Sequence, residues 1–160
     1  MEQAGIDDAD RWAFARNRDV LNDDFLRRLH RRMFRDVWKW AGKFRETDKN
    51  IGDVPVWRVP ADLHQLLGNV RAQIEHKAYP PDEIAIRFHN RLAWIHPFPN
   101  GNGRFARLAA DLLAVQLGQD RFTWGQGDGL PGSDLRKRYI DAQHAADGQV
   151  IELLIVFARS

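Results

Sequence analysis

Residues 96–107 read His96-Pro97-Phe98-Pro99-Asn100-Gly101-Asn102-Gly103-Arg104-Phe105-Ala106-Arg107. Gly101 and Gly103 admit backbone conformations closed to other residues, so successive N–H groups can turn toward one point. A nest of amides at the start of a helix is an anion site. Arg104 and Arg107 stand three residues apart and are therefore neighbours on a helix surface. Cations at a helix N-terminus oppose the helix dipole, at about 0.3–1 kcal/mol each. A bound phosphate reverses the sign of that cost, because guanidinium groups hold phosphate oxygens in pairs. A competing reading pairs Arg107 with Asp111 one turn on and leaves Arg104 in water. It accounts for one arginine but not for the glycines beside them. His96 adds a side chain that exchanges a proton near neutral pH, beside the nest, where it can face a hydroxyl attacking a phosphate. The chemistry is phosphate binding with a base at its edge. It is not a P-loop, since no Gly-Lys-Ser/Thr ending and no preceding strand are present.

These residues need helices on both sides. Ile84, Phe88, Leu92 and Ile95 form one apolar stripe after Pro80-Pro81-Asp82, and Pro97 ends that helix at His96. A second helix is expected from Gly103 to Leu117. Upstream, helices are expected over about 3–17, over 23–40 with Asn22 as its cap and Gly42 after its end, and over 61–76. Downstream, a glycine-rich connection leads to helices over about 133–146 and 150–158. Residues 43–60 break the period: turn residues and a short Val/Trp alternation suit either a small β-hairpin flap or a plain surface loop. The fold class is all-α, one domain over 1–160, a helical bundle with a small flap at about 43–60.

The bulk properties set limits. The chain of 160 residues suffices for one domain with a real core. Its net charge of +2 lacks the excess of a nucleic-acid binder. Arg27, Arg28, Arg31, Arg32 and Arg35 cluster at helical spacing, which reads as a solvated face. Cysteine is absent, so thiol and zinc-thiolate chemistry are excluded. The N-terminus does not look like a signal peptide, and no apolar run is long enough for a bilayer. The expected setting is cytoplasmic, in its own cell or one it is delivered into, with neither nucleic acid nor membrane as partner. The other histidines show no metal-ligand spacing. Trp38, Trp57 and Trp124 are expected to be exposed and to mark an interface.

The segment His96–Arg107 resembles the signature of the Fic/Doc family, His-x-Phe-x-(Asp/Glu)-Gly-Asn-Gly-Arg-x-x-Arg, with matches at His96, Phe98, Gly101, Asn102, Gly103, Arg104 and Arg107. From Trp12 to Gly125 the sequence is most similar to the subgroup called mobile mystery protein B. The resemblance implies transfer of AMP from ATP to a Ser, Thr or Tyr hydroxyl of a target protein. It implies His96 as general base and Phe98 as the buried anchor of the loop. Gly101, Asn102 and Gly103 would hold the α- and β-phosphates, with the Asn102 side chain assisting, and Arg104 and Arg107 the outer phosphates. Ile51, Val54, Val56 and Trp57 would lie in a flap that docks the target. Asn100 stands where the family has an acidic magnesium ligand; its amide oxygen can ligate Mg2+ but brings no charge. Other outcomes are another phosphate-linked transfer, kinase-type or of UMP, or a weakly catalytic nucleotide-binding partner in a toxin–antitoxin pair. Many relatives are held off by a helix with the pattern Ser/Thr-x-x-x-Glu-Gly/Asn. None of Thr47, Thr123, Ser133 and Ser160 starts one, so an antitoxin or inhibitory segment is expected in trans.

Overall fold

The computed structural model describes residues 2–48 and 54–160. Seven helices follow one another among them: α1 (Glu2–Phe14), α2 (Asp23–Phe34), α3 (Val59–Glu75), α4 (Pro81–Ile95), α5 (Asn102–Gln116), α6 (Gly132–Asp147) and α7 (Glu152–Arg159). None is long and apolar enough to cross a membrane.

Local signals start and stop them. The Asn22 side chain accepts the Phe25 N–H at 2.9 Å, and Asp23 and Asp24 occupy the positive end of α2. Pro81 opens α4 with Asp82 and Glu83 in its first turn. α5 packs on α4 and also touches α1 and α2; α3 covers α4, and α6 and α7 pair and close over it. Ten of the fifteen residues of α5 are buried, including Ala106, Ala109, Ala110 and Ala114, so it is the central helix. One contiguous core joins Leu26, Leu29 and Phe34 of α2 to Phe88 and Leu92 of α4, Phe105 and Leu113 of α5 and Leu154 of α7.

Three expectations are corrected. The β-hairpin is not seen: no strand occurs among the described residues, and Val56–Arg58 form a single 3-10 turn that runs into α3 at Val59. Pro55 and Pro60 flank that turn, and neither can donate to a β ladder. Pro60 instead suits the first turn of α3, where its fixed φ starts the helix two residues early. The Val56 N–H goes to the Asp48 side chain at 2.7 Å. Of the four docking candidates, Ile51 lies outside the described residues, Val54 is buried, Val56 is half-buried, and Trp57 is 77% exposed.

The second correction is α2, which stops at Phe34 rather than at Trp40. Trp38 folds back on Phe34 with ring centroids 4.8 Å apart and stacks on Trp40 at 4.6 Å. The turn returns the chain so that the Gly42 N–H reaches Nδ1 of His30 at 3.0 Å. Gly42 has φ +81°, and a Cβ there would sit 2.8 Å from the Arg27 carbonyl oxygen, so only glycine allows the return. Trp38 and Trp124 are half-buried, not the exposed surface aromatics expected; Trp57 alone is exposed.

Candidate active site

α4 ends on His96, which takes a left-handed conformation, φ 52° and ψ 60°. Such a conformation in a residue other than glycine persists only where its surroundings enforce it. Here they do. The His96 N–H bonds to the Leu92 carbonyl at 3.2 Å, and the His96 carbonyl accepts Nε of Arg45 at 2.7 Å. Arg45 is buried, and its guanidinium also donates to the carbonyls of Thr47 at 3.0 Å, Val54 at 2.6 Å and Ile95 at 3.3 Å. Its own N–H bonds to the Pro97 carbonyl at 2.9 Å. The cation thus sits at the negative end of α4, where the helix dipole favours it. It ties the turn at His96 to Thr47 and Val54, on either side of residues 49–53.

The loop after His96 is clamped from within. The Phe98 ring is fully buried, stacked on His30 at 3.8 Å and edge-on to Phe105 at 5.1 Å. Asn102 is buried, with Oδ1 accepting the Phe98 N–H at 3.0 Å and Nδ2 donating to the Phe98 carbonyl at 2.8 Å. Both polar atoms of that side chain therefore hold the loop, and what Asn102 offers a ligand is its backbone amide. Nε2 of His30 lies 3.0 Å from the Asn100 carbonyl while Nδ1 receives the Gly42 N–H. This assigns the tautomer: Nδ1 accepts and Nε2–H donates. Burial pulls the His30 pKa down to about 4, so the ring stays neutral in this role.

α5 then starts at Asn102 with Gly101 as its cap, φ 78°. A Cβ on Gly101 would lie 2.6 Å from the Phe34 ring. No side chain caps this terminus, and no acid lies in its first turn. Its first N–H groups have no helical partner and open into a cleft of about 670 Å3. The cleft is lined by His96, Asn100, Gly101, Asn102, Gly103, Arg104 and Arg107, and on the far side by Trp124, Gln126, Leu135, Arg136, Tyr139, Ile140 and Phe157. That volume suits a small molecule. Its two walls differ: backbone amides and two arginines on one side, and on the other mostly aromatic and aliphatic groups with Gln126 and Arg136 among them.

The two arginines are held differently. Arg104 meets the Glu2 carboxylate of α1 and lies over the Phe34 ring at 4.9 Å. Arg107 lies over the Tyr139 ring at 5.0 Å. Asp111 does not pair with it. That carboxylate is committed to Arg121 at 3.1 Å, to the Phe122 N–H at 3.3 Å and to Nε1 of Trp124 at 3.1 Å. Among the described residues no carboxylate lies within ion-pair distance of Arg107. Burial raises the Tyr139 pKa and Arg107 opposes the rise, while the Tyr139 hydroxyl meets Nε2 of His89 at 3.0 Å. His89 is fully buried, and burial followed by the nearby Arg107 lowers its pKa to about 3.

The structure thus brings His96, Asn100, Gly101, Asn102, Gly103, Arg104 and Arg107 to one cleft, with Phe98 beneath it. Val54, Val56 and Trp57 do not line it. Sequence reasoning missed Arg45, His30, Tyr139 and His89. The partners of Arg45 and His30 are backbone groups, which leave no pattern in side-chain spacing.

The residues present do not fit a dedicated magnesium site. Asn100 contributes a neutral amide whose Oδ1 already accepts the Gly101 N–H at 2.7 Å. No group of three His, Asp or Glu among the described residues is placed to hold a metal ion.

Comparison with known proteins agrees with this geometry. The chain is 30% identical over 100 residues to "Probable protein adenylyltransferase Fic" of Escherichia coli K12, covering 58% of this chain and 50% of that protein. It therefore spans about half the length of that curated relative, and 29% of a Nematostella vectensis "Protein adenylyltransferase Fic" that is 29% identical. In fold it is similar to Fic-1 from C. elegans, with a TM-score of 0.78, 24% identity, and coverage of 97% of this chain and 46% of that one. The profile of the Fic/DOC family matches residues 20–114, more than half of the sequence and including the whole loop from His96 to Arg107. On that match and that loop, the chain belongs to the Fic/DOC family.

Proposed function

We propose that the chain transfers AMP from ATP to a hydroxyl of a target protein. The observation that carries this is the cleft itself, where one histidine faces the uncapped N-terminus of α5 and two arginines. The hydroxyl oxygen attacks the α-phosphorus, and His96 takes its proton. A new O–P bond forms as the bond from the α-phosphorus to the bridging oxygen of the β-phosphate breaks, and pyrophosphate leaves. The amides of Asn102, Gly103 and Arg104 face the negative charge that grows on the phosphate oxygens. Arg107 and Arg104 neutralise the leaving pyrophosphate, and the base and ribose lie along the aromatic wall. The related proteins named adenylyltransferases support this reading. So does a similar Bartonella tribocorum effector solved with bound AMPPNP, at 18% identity and a TM-score of 0.71.

Intact-mass spectrometry after incubation with ATP and cell lysate tests it. AMP-sized additions that depend on His96 are expected. Phosphate-sized additions would make the reaction kinase-type. Asn100 favours a second reading, a nucleotide-binding protein of low turnover, since an exposed amide replaces the acid of the family motif. Asn100→Asp separates the two: under the first its activity stays comparable, under the second it rises strongly.

A further inference from the structure

Arg27 and Arg31 lie one turn apart on the exposed side of α2, Arg35 continues the row at its end, and the turn that follows brings Lys39 and Lys43 against them. With Trp38 they line a cleft of about 440 Å3. Asp36 is the only acid from Arg27 to Arg45. Other cations of the same helix are neutralised: Arg28 pairs with Asp24 at 3.4 Å and Arg32 with Asp8 at 3.7 Å, both beneath the ring of Trp12. Of the cleft cations only Arg35 has a carboxylate partner among the described residues, Asp8 at 3.9 Å. Arg27 bonds to the Gly42 carbonyl and lies over Phe44. Arg31, Lys39 and Lys43 have no carboxylate within ion-pair distance among the described residues. Like charges one turn apart on a helix repel, and among the described residues only the contact of Arg35 with Asp8 offsets them.

We propose that this cleft docks a short acidic segment of the target protein, a placement that rests on the target being a protein. Lys43 stands two residues before Arg45, whose N–H and Nε hold the carbonyls of Pro97 and His96. Two residues span at most about 7 Å, so the cleft opens at the root of the catalytic loop. Trp38, which lines this cleft, also lies close to that loop, since a Cβ on Gly101 would come within 3.2 Å of its ring. Charge selects the occupant. Asp36 and Glu46 interrupt the cluster along the chain, and the net charge is only +2. A nucleic acid needs a longer basic stripe, whereas a few carboxylates fit one cleft.

The test is fluorescence anisotropy of fluorescein-labelled hexaglutamate at low salt. It compares the wild-type chain with an Arg31→Glu, Lys39→Glu, Lys43→Glu variant. All three side chains are exposed and outside the catalytic cleft, and thermal unfolding confirms that the variant folds. The wild type is expected to bind, more weakly as salt rises, and the variant at least tenfold more weakly. Absence of binding at low salt, or equal binding by the folded variant, would overturn the proposal. Tighter binding of hexathymidylate through the same residues would also overturn it, in favour of nucleic acid. No ATP is present in this assay, so loss of AMP transfer and loss of docking are read separately.

Discussion

Both ring nitrogens of His30 are committed to backbone groups, one twelve and the other seventy residues away. The ring is therefore kept neutral, and its pKa of about 4 lies below the ordinary value of 6.5. The unfolded chain binds the proton that the folded chain refuses, so stability is full above pH 6.5. It is eroded as pH falls from 6.5 toward 4, where protonation of the folded state ends the loss. His89, at about 3, acts in the same direction. His30→Gln is expected to lower the unfolding midpoint at pH 7, through about 1–3 kcal/mol for the Gly42 donor left unpaired. It also flattens the decline between pH 6.5 and 4, as thermal unfolding across pH would show; an unchanged slope would refute this role. Arg45 acts on the base from behind. Arg45→Met strips buried carbonyls of a charged donor and is expected to cost at least about 2 kcal/mol of stability. Arg45→Lys, keeping the charge but not the fork, is expected to fold yet transfer AMP more slowly, with the loss in kcat rather than in KM for ATP.

Among the elements, α5 is the one that would hold the phosphates in the proposed reaction. Gly101→Ala would force a Cβ against the Phe34 ring from a left-handed backbone. It should destabilise the fold by about 1–3 kcal/mol and weaken ATP binding together with it. Calorimetry showing unchanged ATP affinity in a folded variant would contradict the amide nest. The element scale also shows what the sequence discloses. Pro97 locates the end of α4 at His96, and the Gly-Asn-Gly-Arg run locates the start of α5 to one residue, because both are written in local backbone chemistry. The run Val54–Trp57 looks like a strand, but prolines on both sides turn it into the approach to α3. The spacing from Phe25 to Trp40 continues as a helix on paper. In the fold His30 draws Gly42 back across twelve residues of chain, and the last apolar residues pack as a turn. Contacts of that kind are set by the tertiary fold and leave no periodicity.

Across the whole molecule, α1 reaches the N-terminus of α5, where Glu2 occupies the guanidinium of Arg104. Under the proposed function that carboxylate competes with phosphate for the same donor. Partly exposed pairs of this type contribute about 0.2–1 kcal/mol, so Glu2→Gln is expected to tighten binding of an ATP analogue about 1.5- to 5-fold in calorimetry. Unchanged or weaker binding would mean that Arg104 does not meet the nucleotide. The place of Arg104 and Arg107 in the first turns of α5 is legible in the sequence, while the contact of Arg104 with Glu2 and of Arg107 with Tyr139 depends on elements distant in sequence. Label transfer from ATP, with the α- or the γ-phosphate labelled and lysate as acceptor, tests whether His96 serves this cleft as its base. The α-label is expected to become covalent with wild-type protein and to vanish with His96→Ala that still binds ATP. Covalent α-label undiminished in His96→Ala, or γ-label in its place, would contradict it.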